Sequence, residues 1–212
     1  MNNQSALLDK LHQVSFATLG HLLEDGFVSA QVRSMLTGVK LVGKAVTLSV
    51  VNADAIAVNR ALASLQDGDV LVIDMNGDLR HACVGTVTTC AAHVRGARGI
   101  VVDGMVTDIV ELRAAGLPIF ARGTSLLTTK LHGDTESRLN VPVQCGGVQV
   151  NPGDLVLGDD NGLLILPWQA LEAVIDQALI SDRAEPALLR RLEQGEPIAA
   201  VLRVSAEAAR RA

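Results

Sequence analysis

The residue types best suited to chemistry fall in two short stretches. In Val101-Val102-Asp103-Gly104-Met105-Val106-Thr107-Asp108, an apolar run of strand type meets Asp-Gly, and Asp108 then stands just before the helix-like segment Ile109 to Ala115. The pattern predicts a strand ending at Asp103-Gly104, a short loop, and a carboxylate at the strand's C-terminal edge. Open α/β sheets usually place their chemistry there. Upstream, Gly85-Thr86-Val87-Thr88 opens a second helix-like segment. A glycine at a helix start leaves backbone N–H groups free to hold an anion. Together the two loops predict a small site for a carboxylate ligand, with a hard metal ion beside it.

Other polar residues carry more than one reading. Asp78-Leu79-Arg80-His81 is unusually polar for a segment between a buried strand and a helix. Arg80 either points into the site, where a guanidinium can hold a carboxylate bidentately, or is a surface-loop arginine. Arg122, after an apolar strand, either faces the same cleft or makes an ion pair between subunits. Asp103 is expected to accept backbone N–H bonds, the usual work of Asp before Gly in a turn. His12, His81, His93 and His132 share no ligand spacing and read as surface or packing residues. Asp159-Asp160-Asn161-Gly162 lacks the spacing and terminal Glu of a calcium loop and reads as a hairpin turn.

Composition limits the function classes. The 212 residues are 49% hydrophobic and 19% charged, enough apolar material for a full core. Aromatics are 2%, with no Tyr and Trp168 alone of its type, so the stacking platforms of a nucleic-acid module are missing. A net charge of -5 also argues against binding a phosphate backbone. Cys83, Cys90 and Cys145 form no CxxC pair; they read as buried, reduced thiols and fit a cytoplasmic protein. Met1-Asn2-Asn3-Gln4-Ser5 does not look like a signal peptide. No apolar run reaches the roughly 18 residues of a membrane span.

The elements that must position the site alternate. A single domain over 1–212 is expected, with a core over about 39–167, an N-terminal helix over 5–24 and a helical tail over 168–212. Val39 to Val51, Val70 to Ile73, Gly99 to Val102 and Pro118 to Ala121 read as strands. Asp54 to Leu65, Thr88 to Val94 and the stretch from Ile109 read as helices. Four closely spaced strand candidates then fill Val141 to Leu166, and Trp168 to Arg191 is helical, interrupted at Pro186. The class is α/β with mixed sheets and a hairpin-rich C-terminal half. It is not a dinucleotide-binding fold, since no GxGxxG follows the first strand and no GxxxxGK[ST] occurs.

Several blocks, in order and spacing, resemble the RraA-like family. They are Asp67-Gly68-Asp69-Val70-Leu71-Val72-Ile73-Asp74, Gly85, Gly99-Ile100-Val101-Val102-Asp103-Gly104 and Pro118-Ile119-Phe120-Ala121-Arg122-Gly123. Gly146-Gly147-Val148-Gln149-Val150-Asn151-Pro152-Gly153-Asp154-Leu155-Val156 and Asp159-Asp160-Asn161-Gly162 continue the likeness. The family includes the class II 4-hydroxy-4-methyl-2-oxoglutarate aldolases, which also decarboxylate oxaloacetate, and the regulator of ribonuclease activity A. The resemblance implies a swivelling β/β/α fold, a homotrimer or dimer of trimers, and a site between subunits. For the aldolases it implies an acidic residue after the first-loop glycine and, further on, an Arg-Asp pair. The Asp holds a divalent metal largely through water, while the Arg and the first-loop amides hold the pyruvoyl group.

In this sequence those positions are Thr86, Thr107 and Asp108, so the Asp alone is kept. The expected site is therefore Asp108 for a weakly bound magnesium or manganese ion, with Gly85, Thr86, Val87, Thr88 and Arg80 on the substrate and Thr107 beside it. Retro-aldol cleavage and β-decarboxylation both build negative charge on a pyruvate enolate, which a divalent metal stabilises as a Lewis acid. Losing one charged donor at such a site costs about 2.7–4 kcal/mol, and Thr107 donates a hydrogen bond without charge. The leading expectation is a metal-dependent lyase of small oxo- or hydroxy-acids with weakened or altered activity. The alternative is a non-catalytic regulator or scaffold. Gly20-His21 replaces a Ser-Asp common among relatives; for His21, helix packing or capping is favoured over a proton shuttle.

Overall fold

The computed structural model describes residues 3–133 and 136–204. Leu23–Glu172 form one compact unit, and the described parts of Met1–Leu22 and Ala173–Ala212 form another.

In chain order the elements are α1 (Asn3–Gln13), α2 (Phe16–Leu19), β1 (Arg33–Ser34), β2 (Leu41–Ser49), α3 (Ala55–Ser64), β3 (Asp69–Asp74), β4 (Ala82–Val84), α4 (Thr86–Val94) and β5 (Gly99–Val106). They continue with α5 (Ile109–Ala115), β6 (Ile119–Thr124), β7 (Arg138–Leu139), β8 (Val143–Cys145), β9 (Val148–Val150), β10 (Leu155–Asp159), β11 (Gly162–Leu166), α6 (Trp168–Glu193) and α7 (Ile198–Val201).

Within the larger unit, β6, β5, β3 and β2 lie side by side and parallel. The antiparallel strands β10 and β11 continue the sheet beyond β2, and β1 closes on β6. The alternation of the central strands buries them on both faces, as parallel strands require. Leu71, Ile73, Ile100 and Val102 pack with Ala57, Val58, Ala61 and Leu62 of α3, Ala92 of α4 and Leu112 of α5. Val70, Val72, Val101 and Phe120 turn the other way, against Val143, Cys145 and Val150 of the β8–β9 hairpin. β2 and β3 end in line, Ser49 paired with Asp74, and Asp103 of β5 lies level with them beside Asp74.

Three sequence expectations change here. The strand expected to stop at Asp103-Gly104 runs on to Val106. It continues because β4 pairs with the extension, Ala82 with Met105 and Val84 with Val106, while β6 supplies the other side after a bulge between Val102 and Met105. Gly104 is thus a point of close approach and not a turn residue; a Cβ there would lie 2.6 Å from Cγ of Met75. The single helix expected over 5–24 is two helices. Ser15 is extended, φ -71° and ψ 128°, and its N–H donates to Asp182 (2.6 Å) in place of a helical carbonyl. Pro186 does not interrupt α6. Its missing N–H removes one i→i−4 bond, too little to end a helix of this length.

The thiols are free. Cys83 and Cys145 are buried, and burial pushes both up to about 12. Cys90 is exposed on α4, against the expectation of burial, because it sits on the helix face turned from the sheet.

Candidate active site

The β4–β5 pairing assembles the site. The N–H of Thr107 donates to the carbonyl of Val84 (2.9 Å), which brings Thr107-Asp108 against Gly85-Thr86. Asp108 precedes α5 in the left-handed region, φ 54° and ψ 42°, a conformation that Asp tolerates better than most residues. Its carbonyl accepts the N–H of Leu112 (2.9 Å) and starts α5, but its side chain turns to α4. Oδ2 accepts the backbone N–H of Thr86 (2.9 Å) and the Thr86 hydroxyl (3.0 Å), and Oδ1 accepts the Thr107 hydroxyl (3.3 Å).

The carboxylate therefore sits on the N-terminal end of α4, where the helix dipole favours negative charge. The Thr86 N–H, then the Thr86 hydroxyl and more weakly Thr107, hold the Asp108 carboxyl below its ordinary value against the opposing effect of burial. It is an ionised group at neutral pH, suited to holding a cation or a donor rather than to taking a proton. Gly85 makes the arrangement sterically possible. A Cβ on it would lie 2.7 Å from Oδ2 of Asp108 and 2.9 Å from Cγ2 of Thr107. Thr89 bonds back through its hydroxyl to the Gly85 carbonyl (2.9 Å), fixing the first turn. Thr88 is half-buried, and Val87 is exposed.

Arg80 lies in the loop before β4. Its N–H donates to Asp78 (2.7 Å) and its carbonyl accepts the Ser125 hydroxyl (2.6 Å). Its guanidinium is exposed, with no hydrogen bond or ion pair among the described residues. Asp78 also takes the His81 N–H (3.1 Å) and ring Nδ1 (2.6 Å), so His81 staples the loop. Burial raises the Asp78 carboxyl, but these donors, the Arg80 N–H foremost, outweigh it and hold it low.

Asp103 accepts a backbone N–H as expected, but from Gly146 of the β8–β9 turn (2.8 Å) and not from its own loop. Its other oxygen takes Nε of Arg122, so this arginine forms its ion pair inside its own chain. Nη1 of Arg122 donates to Gln31, a residue that no motif marks. The pair was open to inference only through the adjacency of β5 and β6, each carrying one charge late in an apolar run. Asp159 accepts the Asn161 N–H (2.8 Å) as the hairpin reading requires. His21 is exposed, its N–H on the Thr18 carbonyl (3.1 Å).

Among the described residues, no three His, Cys, Asp or Glu side chains converge as a metal-binding group. Asp108 with the two threonine hydroxyls is an all-oxygen donor set bearing a single negative charge. That suits a hard divalent ion which keeps most of its water, as magnesium does, and does not suit a tightly caged one. No described helix is long and apolar enough to cross a membrane.

Comparison with known proteins agrees with this architecture. A protein of Halalkalibacterium halodurans, whose name proposes it as a 4-hydroxy-4-methyl-2-oxoglutarate aldolase, is 40% identical over 139 residues. That match spans 66% of this chain and 65% of the relative, just under two thirds of its length. The structure of RraAS2 from Streptomyces coelicolor, described as an unusual member of the RNase ES inhibitor RraA protein family, superposes with a TM-score of 0.74 at 31% identity. It covers 88% of this chain and 98% of its own. The RNA-processing inhibitor RraA of Thermus thermophilus gives a TM-score of 0.65 at 30% identity, covering 72% and 92%. The pattern of the RraA-like family, described as Aldolase/RraA, matches residues 6–165. With that match and this fold, the chain belongs to the RraA-like family.

Proposed function

We propose that this protein is a divalent-metal-dependent lyase of small oxo- or hydroxy-acids, related to 4-hydroxy-4-methyl-2-oxoglutarate aldolase and oxaloacetate decarboxylase. The observation that carries the reading is the ionised Asp108, fixed at the C-terminal edge of β5 against the start of α4. Its role is to hold a hydrated magnesium or manganese ion. When bound, that ion supplies the Lewis acidity on which retro-aldol cleavage or β-decarboxylation draws. The amides of Val87 and Thr88 at the α4 N-terminus, with Arg80, hold the substrate carboxylate. Thr86 and Thr107 orient Asp108 and add no charge, so the activity is weaker than with an acidic residue and an arginine in their places.

Exposed apolar side chains surround the site: Val87 (83% exposed), Val110 (70%) and Leu126 (97%). Side chains of this size left in water around a polar site suit a subunit interface. The proposed assembly is a homotrimer or dimer of trimers of a cytoplasmic protein, acting on a small acid and on neither nucleic acid nor membrane. A second reading, a non-catalytic regulator, is favoured by one observation. Both threonine hydroxyls are spent on Asp108, and no cationic side chain touches its carboxylate among the described residues.

Two measurements test the proposal. A panel of oxo-acids with magnesium and manganese, followed by pyruvate release, should show a metal-dependent reaction; no turnover of any member favours the regulator. Calorimetry with manganese should give weak binding that Asp108→Ala removes, and equal binding by both proteins rules out the assignment of Asp108.

A further inference from the structure

On the other face of the same sheet edge lies a cavity of about 400 Å³, lined by Ala30, Gln31, Arg33, Leu79, Met105 and Arg122. Its size falls in the range of small-ligand sites. Arg122 is held from two sides: Nε donates to Asp103, Nη1 to Gln31, and Asp103 is itself anchored by the Gly146 N–H. A guanidinium fixed in this way has lost its rotamer freedom before any ligand arrives. Its Nη2 makes no hydrogen bond among the described residues, and the side chain keeps 20% of its exposure. Arg33 adds a second positive charge to the lining, so two arginines face one aspartate. Leu79, half-exposed, and Met105 supply an apolar wall.

We propose that this cavity is a binding site for a small organic carboxylate with a short aliphatic tail. The carboxylate lies on the open edge of the Arg122 guanidinium, whose planar fork matches it, and the tail lies on Leu79 and Met105. The site is separate from the Asp108 carboxylate and does not depend on the lyase reading. Arg122→Ala is a poor test, because it leaves Asp103 unpaired at the sheet edge. Arg33→Gln and Leu79→Asp change side chains that are partly or wholly in solvent.

The experiment titrates the full-length protein with isobutyrate and follows the Arg122 Nε–H and the Gln31 side-chain amide by nitrogen-resolved NMR. Both resonances should move saturably and with one shared midpoint, independent of any response of the α4 N-terminal amides. Isobutyramide, the neutral isostere, should leave them unmoved. Arg33→Gln should weaken binding about two- to five-fold, the range of an exposed charge, and Leu79→Asp should weaken it further. Non-saturating shifts, an equal response to isobutyramide, or unchanged affinity in either variant would overturn the proposal.

Discussion

Asp108 takes its character from what donates to it. The Thr86 N–H and hydroxyl and the Thr107 hydroxyl favour the ionised carboxylate, so its pKa lies below the ordinary 3.8. Because the folded value is depressed, the stabilisation these bonds give is present above the unfolded value. It is lost as pH falls through the lower folded one. Thr86→Val keeps the backbone donor and removes the hydroxyl. A carboxyl-carbon NMR titration should then show Asp108 titrating above its wild-type midpoint; an unchanged midpoint would mean that the hydroxyl does not reach the carboxylate in solution. The nearness of Asp108 to the Gly85 loop was legible in the sequence, because an acid after a strand and a glycine before a helix both belong at the same sheet edge. The grip of the two threonines was not. A threonine carries no signal of which acceptor its hydroxyl faces, and here the β4–β5 register decides it. The Asp103–Arg122 pair was likewise open, since strand adjacency alone sets which charges meet.

At the scale of elements, the site depends on α4 beginning where β5 ends. Gly85→Ala places a Cβ 2.7 Å from Oδ2 of Asp108, so the carboxylate must leave the helix end or the loop must shift. Overpacking of this kind costs about 1–3 kcal/mol. The denaturant midpoint should fall accordingly, and manganese binding should change with it; a variant with wild-type stability and binding would show that the close approach is not maintained. Long, periodic elements were readable: β2, α3, β3 and the β10–β11 hairpin fall close to their apolar runs and turn residues. Of the short strands, β8 and β9 were marked by the turn residues around them, but β1, β4 and β7 were not. β1, β4 and β7 have two or three residues, too few for alternation to register, and they exist because neighbouring edges need partners. That is also why β5 outran its expected end. Asp-Gly is a turn signal until a strand such as β4 lies alongside and pairs with the residues after the glycine. The break at Ser15 has a similar origin, in a carboxylate, Asp182, distant in sequence.

For the whole molecule, the composition and the central α/β alternation were enough to give the class, and the RraA-like likeness gave the fold. Neither names the reaction, because the two positions where the family resemblance implies an acidic residue and an arginine hold Thr86 and Thr107. The exposed Val87, Val110 and Leu126 lead to an assembly test. Sedimentation at micromolar concentration should give a trimer or hexamer, and a monomer would remove the proposed subunit interface. The most direct test of the central claim is manganese-dependent pyruvate release from oxaloacetate and from 4-hydroxy-4-methyl-2-oxoglutarate by the wild type, Asp108→Ala, and the double variant Thr86→Asp with Thr107→Arg. The wild type should decarboxylate oxaloacetate slowly above the rate of the metal alone, and Asp108→Ala should fall to that rate. The double variant should gain about a hundred- to a thousand-fold, the worth of one restored donor, and should cleave the hydroxy-acid as well. A wild type no faster than the metal alone, or an Asp108→Ala protein as active as the wild type, would contradict the account.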